Sequence, residues 1–272
     1  MHGENPMSLR SIFCVAIMAA LFVVVDYGRA QTTKPTAESK PTESPKVKEL
    51  KALFEVYDKA LKEKSETDLV VKAKPLADLF PEVEKPLQAE IVERHTKGLK
   101  VSKARDSKLA ILEQMVRTGG KAFGTIAAET ESELAKDDVK YLCGVLKALG
   151  QSKDEKQIPL FMKFLLYKDD EAVAQSVKSL ANFKASKTET KKEIFEGIMK
   201  LYSPLESASS PSSGGAGKPA NNRGSDTAIR RLGVLREPIN ATLTSLSGKE
   251  GLADANLWDR WYRKEGKKAA KW

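Results

Sequence analysis

The residues that decide the fold are 157–183, QIPLFMKFLLYKDDEAVAQSVKSLANF. Pro159 stands where a first helical turn tolerates a residue without an N–H, and Leu160, Phe164 and Leu165 fall on the stripe such a helix buries. Asp169 and Asp170 make an acidic turn, after which Val173, Ser176 and Leu180 return at the spacing of a second helix. Two short helices joined by a tight turn cannot bury both apolar faces alone, so the stretch predicts neighbours of the same kind.

The chain supplies them. Ile111, Met115 and Thr118 are followed 31 residues later by Leu142, Leu146 and Leu149, and after another 31 by Val173, Val177 and Leu180. The +4, +7 spacing returns at Ala228, Leu232 and Leu235, 55 positions on, which is one period of 31 plus 24. A Ser-, Gly- and Pro-rich tract at 203–225 matches the extra length and reads as a disordered insertion between the helices of the last repeat. Helices are expected at about 86–100, 107–117, 121–131, 138–149, 154–167, 171–183, 188–202, 226–246 and 256–266. Val47, Leu50, Phe54, Tyr57 and Leu61 mark one more. Gly119, Gly120, Gly150, Gly248 and Gly251 read as helix ends, and Asp137, Asp154 and Asp226 as N-caps. No run alternates apolar and polar residues for the length of a strand.

Residues 157–183, with the preceding KYLCGVLKALGQSKDEKQ at 140–157, resemble a bacterial HEAT repeat of the short type. The resemblance covers 107–246 and, more faintly, 47–100. It implies an all-α, right-handed α-solenoid whose free surface binds a protein partner, without catalysis. Two departures stand out. Ala174 takes the place of the basic residue that usually follows the valine, and the segment holding Pro75, Pro81 and Pro86 fits no repeat template. The Trp-Leu-Gly-Tyr pattern of tetratricopeptide repeats is missing.

Upstream, Arg10 precedes an apolar run over residues 12–25, the length of a signal-peptide core and short of the ~20 residues that span a bilayer. Gly28 and Ala30 fit a cleavage site before Gln31, so residues 1–30 are expected to direct export to the periplasm or beyond, leaving no transmembrane span after cleavage; the competing reading is an uncleaved anchor or a lipoprotein. Cys14 would leave with them, and Cys143 alone could form no intrachain disulfide. Residues 31–46, QTTKPTAESKPTESPK, read as a disordered linker before a repeat domain at 47–255.

Composition narrows the chemistry. The 272 residues are 41% apolar and 31% charged, where about 25% charged is usual. Two Cys and two His exclude Cys-rich metal modules and haem attachment, and no cofactor is expected. His95 shares a stripe with Leu87 and Ile91 and reads as a half-buried helix residue; Cys143 reads as a small apolar one. The GGAGKP string at 214–219 fails as a phosphate loop because Pro219 follows Lys218. Asn240-Ala-Thr242 is a glycosylation triplet placed on a helix. Some short HEAT-like proteins resemble bilin lyases, but no catalytic constellation accompanies the repeats here.

The C-terminus, NLWDRWYRKEGKKAAKW at 256–272, holds all three tryptophans and a local charge of +4 within a total of +9. Trp258, Trp261 and Tyr262 make an i, i+3, i+4 aromatic face, with Arg260, Arg263, Lys264 and Trp272 around it. One reading is a cap folded over the end of the repeats, an ending similar to those of exported HEAT-like proteins. The other is a binding face for an anionic envelope polymer or a protein partner. Nucleic acid is disfavoured, because an exported chain rarely meets it and the other positive charges are scattered among acids.

Overall fold

A computed structural model describes residues 44–210 and 223–272. The expected signal peptide, most of the linker and the GGAGKP string lie outside the described residues. Every regular element among the described residues is helical. The helices are α1 (Pro45–Glu63), α2 (Glu66–Leu79), α3 (Lys85–Val101), α4 (Arg105–Thr118), α5 (Ala122–Ala128), α6 (Glu133–Asp137), α7 (Val139–Ser152), α8 (Ile158–Phe164), α9 (Asp170–Leu180), α10 (Thr188–Ser209), α11 (Arg223–Ser247) and α12 (Ala255–Trp261).

Alternate helices line up. In a first row α2 packs on α4, α4 on α7, α7 on α9 and α9 on α11. Row neighbours run in the same direction. Glu66 and Asp78 of α2 meet Ala104 and Arg117 beside the two ends of α4, and Asp170, Val177 and Ala181 meet Arg231, Thr242 and Ser245 in that order. A second row runs through α1, α3 and α5, then α8, α10 and α12, with α1 on α3, α3 on α5, α8 on α10 and α10 on α12. Glu131, just after α5, reaches Lys163 of α8 at 2.8 Å.

Several contacts between row neighbours fall 32 to 39 residues apart in sequence. Arg94 grips Asp58 with both Nε and Nη2 across 36 residues, and Arg105 reaches Asp138 across 33. The Ser179 hydroxyl donates to the Leu146 carbonyl across 33, and Lys163 to Glu131 across 32.

All twelve positions of the expected register are buried, from Ile111 to Leu235. The alignment of the last set is nevertheless displaced. Thr242 donates to the Val177 carbonyl across 65 residues, where 33 separate Ser179 and Leu146, so the inserted length is near 32 rather than 24. A shift of about two helical turns returns to the same apolar stripe, so burial alone does not reveal it.

Other boundaries also move. The expected linker at 31–46 stops earlier: Ser44 caps α1, accepting from the Val47 N–H at 3.3 Å, and Pro45 occupies the first turn. The disordered tract expected at 203–225 is helical at both edges, because α10 continues through Pro204 to Ser209 with Leu205 buried, and α11 begins at Arg223. Residues 66–79 form α2 with Pro75 inside, while Pro81 and Pro86 sit in first turns. Prolines that break a template therefore do not break the helices here. Phe164 and Leu165 are buried as expected, while Leu160 is half-buried and Phe161 is the fully buried residue of α8.

Asp154 caps the 3₁₀ turn at 155–157 as expected, accepting from the Lys156 N–H at 3.1 Å, whereas the other two capping positions shift. Asp138 and Asp169 cap α7 and α9, accepting from the Tyr141 N–H at 3.0 Å and the Glu171 N–H at 2.9 Å. Asp226 lies within the first turn of α11. Gly150 does not end a helix: it lies inside α7, and a Cβ there would stand 2.6 Å from the Ser179 Cβ. The glycine lets α7 and α9 approach.

Candidate interaction surface

The C-terminal aromatics pack on α10, Trp258 buried and Trp261, Tyr262 and Trp272 half-buried. Asp254 caps α12, its carboxylate accepting from the Leu257 N–H at 2.8 Å, and this turn aims Trp258 at α10. Phe195 of α10 is the hub, with ring centroids 4.7 Å from Tyr262, 5.2 Å from Trp272 and 5.9 Å from both Trp258 and Trp261. Trp258 is fully buried, and its indole N–H donates to Asn240 Oδ1 at 2.9 Å. Trp261 donates to Glu265 at 3.1 Å, Tyr262 to Glu196 at 2.6 Å and Trp272 to the Gly266 carbonyl at 2.7 Å. Gly266 sits in a π-helical turn, where a Cβ would stand 2.9 Å from the Trp261 ring.

Each aromatic thus has an apolar neighbour for its ring and an acceptor for its polar atom, as a packed end requires. The strap is fixed from α10 as well: Lys192 donates to the carbonyls of Lys267 and Ala269 at 2.9 and 2.8 Å, and Lys191 to that of Trp272. Arg260, Arg263 and Lys264 remain on the outside, with Arg263 paired to Asp259 at 2.9 Å. The aromatic and basic halves of the expected binding face therefore separate. Sequence reasoning missed Phe195; its place on the buried stripe with Ile194, Ile198 and Tyr202 was the available signal.

The remaining candidates are settled by their surroundings. His95 is fully buried, with Nε2 3.0 Å from the Ala73 carbonyl and Nδ1 without a partner, and burial pulls its pKa down to about 4. Cys143 is half-buried, and burial together with Glu171 and Asp169 pushes its thiol up to about 11. Neither is poised for catalysis at neutral pH. Asn240 is occupied on both sides of its amide, by Trp258 and by the Ala253 carbonyl at 3.0 Å. Among the described residues no three His, Cys, Asp or Glu side chains come together to hold a metal. No described helix is long and apolar enough to cross a membrane.

What the first row leaves uncovered is a face of shallow grooves between helices. One, about 210 Å³, lies between α4 and α7 and carries Glu113, Lys147 and Gln151 around Leu109 and Gly144. Leu109 fills the place of a side chain at 144, since a Cβ there would be 2.3 Å from Leu109 Cδ2. Another, about 310 Å³, spans α7, α9 and α11 and includes Cys143, Glu171, Lys178, Val234 and Glu237. Ile229 and Val234 are exposed on α11. Compared with models of known families, with curated proteins and with solved structures, the chain matches none.

Proposed function

We propose that this chain is an exported, non-enzymatic scaffold: an α-solenoid of HEAT-like helix pairs that binds a protein partner through the uncovered face of the row α2, α4, α7, α9, α11. The observation that carries the reading is the recurrence of row contacts at 32 to 39 residues. Stacked pairs share one continuous core and leave a long surface free, and that surface is the usual functional asset of such an array. Export follows from the anatomy of residues 1–30.

Affinity capture from an envelope extract tests it. A reproducible set of proteins should be retained by the wild type and lost when Glu113→Lys, Lys147→Glu and Lys178→Glu are combined. Retention of nothing above control, or equal retention by the variant, overturns the proposal.

A second reading draws on the exposed Arg260, Lys264, Lys268 and Lys271, which give the terminal segment a basic outer side. On that reading the segment binds an anionic envelope polymer. Its test is neutralisation of these four side chains, which leaves the packed aromatics in place.

A further inference from the structure

Lysine recurs near the end of each member of the first row. Lys85 opens α3 after the turn that follows α2, Lys121 follows α4, Lys153 follows α7, Lys184 follows α9 and Lys249 follows α11. Their spacings of 36, 32, 31 and 65 run near the 38 to 39, 33, 33 and 65 residues at which first-row neighbours touch. Because the row helices run in one direction, these turns open on one edge. Lys85 and Lys121 line the same groove of about 300 Å³. All five are exposed, and among the described residues only Lys249 has a carboxylate within ion-pair reach, Glu265 at 3.8 Å.

The charge excess is confined to the three central turns; the outer turns hold Glu82 and Glu84 beside Lys85, and Glu250 and Asp254 beside Lys249. The three central turns, 119–121, 153–157 and 181–187, carry Lys121, Lys153, Lys156, Lys184 and Lys187 against Asp154 and Glu155. Asp154 is engaged, accepting from the Lys156 N–H at 3.1 Å and from Gln157 Nε2 at 3.3 Å. Each turn ends one helix and starts the next, so opposite macrodipole ends meet and largely cancel; helix-end electrostatics does not call for this excess.

Two of the lysines occupy positions that local structure argues against. Lys153 has φ 54° at the C-cap of α7, where the turns after α4 and α11 place Gly119 at φ 65° and Gly248 at φ 69°. Lys187 stands at the N-cap of α10, which favours a side chain that can accept a hydrogen bond, and no side chain caps that helix.

We propose that this edge is a docking strip for a linear polyanion bearing phosphate or sulfate groups. Packed helices stand about 8–10 Å apart, so the three central turns present cations at a regular step over roughly 20 Å. A flexible polymer can engage many of them together, whereas a small anion meets one. The turns offer no platform for bases: Phe183 is buried and Phe80 half-buried. The strip rests on the direction of the row helices, not on partner binding by the row face.

Titration of the full chain with long-chain polyphosphate, tripolyphosphate and single-stranded DNA at several salt concentrations tests the proposal. Long polyphosphate is expected to bind at least about tenfold tighter than tripolyphosphate, with an affinity that falls steeply with salt. Combining Lys121→Gln, Lys153→Gln, Lys156→Gln, Lys184→Gln and Lys187→Gln should weaken it by about tenfold or more and flatten the salt slope by roughly three to four units. The pair Lys121→Gln and Lys184→Gln should shift both in the same direction with less risk to folding. Neutralising Arg260, Lys264, Lys267, Lys268 and Lys271 instead should leave the affinity within about twofold. Lys153→Gly should weaken binding while raising the melting temperature, a combination that a structural role for the lysine would not give. No binding, indifference to polymer length, equal loss in the terminal variant, or tighter binding of single-stranded DNA overturns the strip. The edge variant should still capture the row-face partner, so failure of either proposal is distinguishable from failure of the other.

Discussion

Replacing Phe195 with alanine removes the ring on which the C-terminal segment is built. The side chain is 1% exposed and meets four aromatic rings at 4.7 to 5.9 Å. Truncating a buried phenylalanine costs about 3–5 kcal/mol, and each ring pair is worth about 0.5–1.5 kcal/mol beyond its buried area. These terms overlap, so about 4 kcal/mol is expected rather than their sum. The loss should be local. Helix α12 buries only Ala255 and Trp258, and in a linear array a weakened end unit opens before its neighbours. All three tryptophans of the sequence lie in this segment, so their fluorescence reports the end while helical circular dichroism reports the whole. In urea, the fluorescence transition of Phe195→Ala should move to lower concentration by more than the dichroism transition, where the wild type shows the two closer together. If fluorescence barely shifts, or if both transitions move equally by less than about 1 kcal/mol, the aromatics do not pack on Phe195 as described.

Three further outcomes follow from the interior. His95 titrates near 4 in the folded chain and near 6.5 when unfolded, so the unfolded state takes up its proton first as pH falls. Stability from this group is complete above pH ~6.5 and declines by about 3 kcal/mol toward pH ~4; urea midpoints of His95→Gln should lack that slope relative to wild type. Gly150→Ala should cost about 1–3 kcal/mol, because the new methyl meets both Cβ and Cα of Ser179; thermal unfolding measures it. With its thiol held near 11, Cys143 should react with a disulfide reagent slowly at pH ~8 in the folded chain and rapidly in urea.

Much of this architecture is written in apolar spacing. The helices α4, α7 and α9 lie close to their expected limits because Ile111, Leu142 and Val173 start stripes that nothing interrupts. Helix α2 is hidden by Pro75, since a proline inside a helix reads as a break unless its surroundings are known. The displaced register at α11 has a similar origin: helical periodicity repeats every two turns, and only a specific contact such as Thr242 to Val177 identifies the partner. At the candidate site, the face of Trp258, Trp261 and Tyr262 is legible as an i, i+3, i+4 set, but its direction is not. What it faces is Phe195, more than sixty residues earlier in the chain. The lysine edge is likewise invisible in the linear sequence, because its members become neighbours only once the row helices are aligned.

The most direct test of the proposed scaffold is hydrogen exchange on the chain with and without its captured partner. Binding through the row face should slow exchange in the peptides bearing Glu113, Lys147, Lys178 and Glu237 and leave residues 256–272 unchanged. Protection confined to 256–272, with the row peptides exchanging as in the free chain, would contradict it.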